Sequence, residues 1–249
     1  MRAVLLLFTS LAAASASDRI FGGSLTTVEQ YPQAAAVLST SDLVVFYQHC
    51  GGTILNAVAI LTAVHCNGRI EAGRLRVRVG SSFASNGGSV LFVQRIINHP
   101  NYNANTRDHN IAIIRLQSSI TFSDVAQRGA IAGPSYNVAD NRPVFAIGWG
   151  LNQFGERPDQ LHHVQINTVN HQRCQQIFGT NSITDNMLCA HTEQRGLGGC
   201  TGDDGGPLLH NNVVIGVHSF HVGCSLTDRP GVYTRVSRYT DWILANARS

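Results

Sequence analysis

Leu75, Val77 and Val79 alternate with Arg74, Arg76 and Arg78, a period of two that gives a strand one buried and one solvated face. Asn86-Gly87-Gly88 follows. These residues accept positive φ at low cost, which predicts a tight reversal into a second strand over residues 90–97. Similar apolar runs recur at 52–55, 111–116, 144–148 and 213–218, with glycine and asparagine between them and little helical periodicity. Many short strands at such spacing predict an all-β chain, an antiparallel sandwich or barrel. One helix is expected, at the end, over about residues 237–247, where Tyr239, Trp242, Ile243 and Ala247 fall on one face. No internal repeat or low-complexity linker divides the chain, and a boundary between two β-halves is expected near residues 117–132.

Composition adds a size and a compartment. A chain of 249 residues with 43% hydrophobic and 13% charged residues can bury a large core and lacks the signature of disorder. Arg2, the apolar stretch 3–14 and Ala14-Ser15-Ala16 read as a secretory signal peptide over 1–16. That stretch is too short to span a bilayer, so no membrane partner is expected. Six cysteines exported to an oxidising compartment are expected to pair fully. The formal charge of +3 is too small to argue for nucleic acid or an anionic membrane as a partner. The basic residues are more informative, since all 18 are arginine and none is lysine. Arginine keeps its charge at pH values where lysine, with a pKa of about 10.4, begins to lose its own. Such usage fits a protein that works in alkaline fluid, although lineage bias in codon use gives the same pattern.

Candidate chemistry lies in three segments: Leu61-Thr62-Ala63-Val64-His65-Cys66, Asn110-Ile111-Ala112-Ile113-Ile114 and Gly202-Asp203-Asp204-Gly205-Gly206-Pro207, with Arg19-Ile20-Phe21-Gly22-Gly23 ahead of them. In that order and spacing they resemble the chymotrypsin/trypsin family of serine proteases. Residues 26–32, 184–189 and 231–242 are most similar to trypsin-like proteins of the lepidopteran midgut. The resemblance implies two six-stranded antiparallel β-barrels with a C-terminal helix, and a domain running from 20 to 249 behind a short activation peptide, 17–19. It implies disulfides Cys50–Cys66, Cys174–Cys189 and Cys200–Cys224, a choice that spacing alone does not make among the 15 pairings six cysteines allow. It also implies a secreted, extracellular protein, with the alkaline midgut lumen as the setting that matches the arginine usage.

Peptide hydrolysis in this family needs a nucleophilic hydroxyl, an imidazole that takes its proton and a carboxylate that fixes the imidazole tautomer. The resemblance assigns the imidazole to His65, and puts Asp204 at the nucleophile position and Asn110 at the carboxylate position. A carboxylate at 204 is a poor acyl acceptor, and its charge is expected beside the oxyanion-hole backbone N–H groups of Gly202 and Asp204. An amide at 110 is expected to donate to His65 and hold the wrong tautomer. Asp108, two residues away in a β-type segment, is not expected to substitute.

The specificity pocket departs as well. Gly198 stands where a trypsin has the aspartate that binds Arg or Lys side chains. Ser219-Phe220-His221 resembles the strand that pairs with substrate backbone, with His221 in place of a glycine at the pocket entrance, and the resemblance assigns Gly231 to the pocket as well. The activation parts are retained: Arg19, a new terminus at Ile20, and Asp203 as its buried partner. No cofactor is expected. No metal is expected either, because His221 has no second ligand recognisable nearby in sequence. These features point to a non-catalytic homologue that binds an unidentified protein ligand, such as a protease or a protease inhibitor. The alternative is residual or altered endopeptidase-like hydrolysis in the digestive tract.

Overall fold

The computed structural model describes residues 23–68, 70–151, 155–192, 200–223 and 229–248. After a two-residue strand, β1 (Ser24–Leu25), six strands build the first barrel. They are β2 (Ala34–Ser39), β3 (Tyr47–Asn56), β4 (Ala59–Thr62), β5 (Leu75–Val79), β6 (Ser89–Asn98) and β7 (Ala112–Leu116). All pairings are antiparallel, in the closed order β2-β3-β4-β7-β6-β5. A single helical turn, α1 (Val64–Asn67), follows β4. A short strand, β8 (Ala130–Ile131), leads to the second barrel: β9 (Pro143–Gly148), β10 (His162–Val169), β11 (Met187–His191), β12 (Pro207–His210), β13 (Val213–Phe220) and β14 (Gly231–Arg235). It closes antiparallel as β9-β10-β11-β14-β13-β12, while β8 lies parallel to β13 and β1 adds to β10. The two six-stranded barrels expected from the sequence are both present.

Side-chain pattern explains where each strand sits. In β5, Leu75, Val77 and Val79 are buried and the arginines between them are half-exposed, as period-two patterning requires. β7 is buried throughout, because the barrel interior covers one face and a helix covers the other. That helix is α3 (Thr240–Arg248), preceded by a 3₁₀ turn. Tyr239, Ile243 and Ala247 are buried along one side, with Trp242 packed against the core. Although α3 follows the second barrel in sequence, it docks on β4 and β7 of the first. The Ala247 carbonyl accepts from Asn56 Nδ2 (2.8 Å) and from the buried guanidinium of Arg115, so first-barrel side chains satisfy a carbonyl at the helix end.

Two local expectations need correction. The connection from β5 to β6 is a nine-residue loop, not a tight hairpin. Gly87 and Gly88 do have positive φ, but they fold back on β5, and a Cβ at Gly88 would lie 2.2 Å from the Val79 carbonyl oxygen. A second full helix, α2 (His171–Phe178), was not expected because it is short, mostly polar and buries only Cys174. Asn170 caps it, accepting from the Arg173 N–H at 3.1 Å. Among the described residues, no helix is long and apolar enough to cross a membrane.

Candidate functional site

The three chemically marked segments meet between the barrels. The first barrel contributes His65 from α1 and Asn110 from the turn before β7; the second contributes Asp203 and Asp204 from the loop before β12, and Ser219 from β13. The Cys50–Cys66 disulfide ties α1 to β3, and a second disulfide, Cys174–Cys189, ties α2 to β11. Cys200 is also disulfide-bonded. Arg19, Ile20, Gly198 and Cys224 lie outside the described residues.

Asn110 is fully buried, and its amide orientation follows from its neighbours. The backbone N–H of His65 can only donate, and it donates to Asn110 Oδ1 at 3.2 Å. Nδ2 therefore faces His65 Nδ1 at 2.8 Å and donates to Ser219 Oγ at 2.8 Å. An amide N–H can only donate, so His65 Nδ1 accepts and the imidazole proton sits on Nε2. That nitrogen lies 3.3 Å from Asp204 Oδ1.

Asp204 Oδ1 also accepts from His218 Nδ1 at 3.1 Å. Burial alone would raise this carboxyl, but bonds and charge from His218 and His65 outweigh it and hold Asp204 well below the usual carboxylate range. The Asp204 carboxylate is thus placed between two histidines, with His218 projecting toward it from β13. The loop itself is fixed from both sides. Gly51 N–H donates to the Asp204 carbonyl at 2.8 Å, and Gly205 N–H donates to the His218 carbonyl at 2.9 Å. Gly205 has φ of +77°, and a Cβ there would lie 2.2 Å from Thr62 Oγ1.

Asp203 points the other way. It accepts from the Gly150 N–H on Oδ1 and from the Cys200 N–H on Oδ2, each at 2.9 Å, and full burial still holds it above the usual carboxylate range. Asp108 is committed elsewhere, accepting from Thr184 Oγ1 (2.8 Å) and Asn186 Nδ2 (3.1 Å). It lies in a turn flanked by Arg107 and His109, both of positive φ, and not in the β-type segment expected.

On the pocket side, Gly231 opens β14, where a Cβ would crowd the ring of buried Tyr233. Phe220 makes an edge contact with Phe178. The Ser219 carbonyl accepts from Arg107 Nη1 at 2.5 Å. His221 stands beside His218, ring centroids 5.6 Å apart. Burial and the nearby His218 lower its pKa to about 4. The absence of a second ligand for His221 is a further correction: one ligand atom each from Asp204, His218 and His221 lies within 4.8 Å of the others. Residues three apart on a regular strand face opposite ways. The register of β13 against β14 shifts between His218 and Phe220, and His221 lies just past the strand end, so regular alternation does not extend to it. His218, His49 and Arg107 were not singled out from the sequence. His49 is half-buried on β3, its Nε2 3.0 Å from the Cys66 carbonyl, and burial lowers its pKa. A groove of about 670 Å³ beside α2, lined by Asp140, Thr168, Arg173 and His191 among others, shares no residue with this cluster.

A family model described as Trypsin matches residues 20–243. The chain is 47% identical over 245 residues to "Trypsin, alkaline B" of Manduca sexta, which covers 96% of each chain. It is 48% identical over 236 residues to "Trypsin CFT-1" of Choristoneura fumiferana, covering 92% of this chain and 91% of that one. It is 40% identical over 236 residues to "Achelase-1" of Lonomia achelous, covering 92% of this chain and all of that one.

Proposed function

The chain belongs to the trypsin family, and within that family we propose a secreted member that binds a protein ligand through its cleft or loops without hydrolysing peptides. The observation that carries this reading is the pairing of Asp204 with His65 at 3.3 Å, at the place the family's serine hydroxyl takes. Peptide hydrolysis begins with a hydroxyl giving its proton to an imidazole Nε2 that bears a lone pair. Here the group facing Nε2 is a carboxylate with no proton to give, and Nε2 already carries one because Asn110 donates to Nδ1. In serine proteases, asparagine at the orienting position costs about 10⁴ in kcat, and losing the nucleophile costs about 10⁶, with effects that do not add. The Arg107 guanidinium on the Ser219 carbonyl further supports the reading, since it occupies an acceptor on the strand that pairs with substrate backbone.

Close relatives named as trypsins favour a second reading, an enzyme that retains some hydrolysis with His65 and Asp204 acting on water. The deciding assay uses recombinant protein cleaved after Arg19 and presented with peptide substrates from neutral to strongly alkaline pH. The expected result is turnover indistinguishable from that of an Asp204→Ala variant, and a measurable rate in the Asp204→Ser, Asn110→Asp double variant. Turnover by the unmutated chain that Asp204→Ala abolishes would establish the enzyme reading instead. For the ligand, calorimetry against the inhibitors of a related midgut trypsin tests the inhibitor-binding version, which fails if none of them binds.

A further inference from the structure

We propose that Asp204, His218 and His221 form a binding site for a divalent transition-metal ion of the Zn²⁺ class. The three residues come from the loop before β12, from β13 beside its bulge and from the residue just past the end of β13, and each offers a ligand atom within 4.8 Å of the other two. Among the described residues they are the group of histidine, cysteine or carboxylate side chains that converges in this way. Metal–nitrogen and metal–oxygen bonds of about 2.1 Å in a tetrahedral site put neighbouring ligand atoms about 3.4 Å apart. The Asp204 Oδ1 to His218 Nδ1 separation of 3.1 Å is already near that edge. The remaining adjustment falls on His221, which is partly exposed at the strand end and can turn about its side-chain bonds. His65 Nε2, 3.3 Å from the same carboxylate oxygen, flanks the site.

His218 is 2% exposed and turns Nδ1 to Asp204 Oδ1, so the ion would take the place of the proton between these two atoms, that proton moving to Nε2. Two imidazoles and one carboxylate are a donor set for Zn²⁺, Cu²⁺ or Ni²⁺, and a poor one for Ca²⁺ or Mg²⁺, which take oxygen ligands. A bound dication would also supply the counter-charge that a buried carboxylate needs. Bridging the loop before β12 to the end of β13, it would fix the side of the cleft on which His221 stands. None of this depends on whether the chain hydrolyses peptides.

The test measures metal and not turnover. Full-length secreted protein, stripped with a chelator, is titrated with ZnCl₂ by calorimetry and with CoCl₂ by visible absorption. One Zn²⁺ per chain and the intense visible bands of four-coordinate Co²⁺ are expected. His221→Gly should weaken Zn²⁺ binding at least tenfold and abolish the Co²⁺ bands, whereas His171→Ala, on α2, should change neither. His218→Val should act like His221→Gly. Because His218 is buried and its replacement can disturb folding, the partly exposed His221 carries the decision. No Zn²⁺ binding to the stripped protein, or binding that His221→Gly leaves unchanged, overturns the site.

Discussion

Asp203 and Asp204 are consecutive residues whose carboxylates are stabilised by opposite means. Asp203 turns into the second barrel, where backbone N–H groups of Gly150 and Cys200 receive it, and Gly148 and Gly150 leave it room. Asp204 turns into the cleft, where two histidine side chains receive it. The first environment is made of main chain and absent side chains, so little in it can be exchanged without moving the barrel. The second is made of side chains that can be replaced one at a time. One loop can therefore hold two consecutive carboxylates, one by main chain and the other by replaceable side chains.

The largest expected effect lies on the Asp203 side. A Cβ at Gly150 would sit 2.4 Å from Asp203 Oδ2 and 2.5 Å from its Cγ. The carboxylate cannot retreat, because both its oxygens are held by backbone N–H groups. Gly150→Ala should therefore destabilise the fold by about 3 kcal/mol or more, read as a lower midpoint of urea unfolding. A loss under about 0.5 kcal/mol would mean that the Asp203 side is as adaptable as the Asp204 side, and the contrast would fail.

On the other side, the expected effect is smaller and depends on context. Asp204→Ser removes the acceptor of the His218 Nδ1–H and should cost about 1–2 kcal/mol. With His218 already replaced by valine there is no donor to strand, so the same substitution should become nearly neutral. The coupling energy of that cycle should be about 1–2 kcal/mol. Additive effects would show that Asp204 is held by something other than His218.

The same contrast governs what could be read from sequence. Individual strands and the last helix were legible because they carry local signals: β5 alternates apolar and arginine residues, and Tyr239, Ile243 and Ala247 fall on one face, whereas closure into two barrels was implied only by the family resemblance. Helix α2 was not legible, since its apolar positions are only Cys174, Ile177 and Phe178, too short a stripe to stand out, and its position follows from the Asn170 cap and the Cys174–Cys189 bond. His65, Asn110 and Asp204 were found by motif, and the amide donation to His65 followed from chemistry alone. The partners of Asp204 did not. His218 stands beside a bulge in β13 and His221 just past the strand end, and register shifts leave no mark in residue order. Arg107 reaches the Ser219 carbonyl from a turn of positive φ that arginine and histidine do not advertise.

The smallest expected effect tests whether alkaline behaviour belongs to the cleft at all. With no lysine in the chain and no free cysteine among the described residues, tyrosine phenols are the groups left to titrate between about pH 9 and 12, where arginine stays charged. The Tyr31 hydroxyl bonds His163 Nδ1 on β10 at 2.7 Å, a contact that shares no residue with the Asp204 cluster. Burial lowers the pKa of His163, which keeps the ring a neutral acceptor. Burial also pushes the Tyr31 phenol up to about 12 from its ordinary value of 10.0. An unfolded chain ionises this phenol near 10, whereas the folded chain does so near 12. Its protonated form therefore favours folding, fully below pH 10 and progressively less as pH rises from 10 toward 12. At pH 8 the hydrogen bond should make the unmutated chain about 1 kcal/mol more stable than Tyr31→Phe. Urea midpoints of the two proteins should converge as pH climbs above 10. If the gap instead stays constant to pH 12, Tyr31 does not set the alkaline limit, and the loop around Asp204 becomes the next place to look.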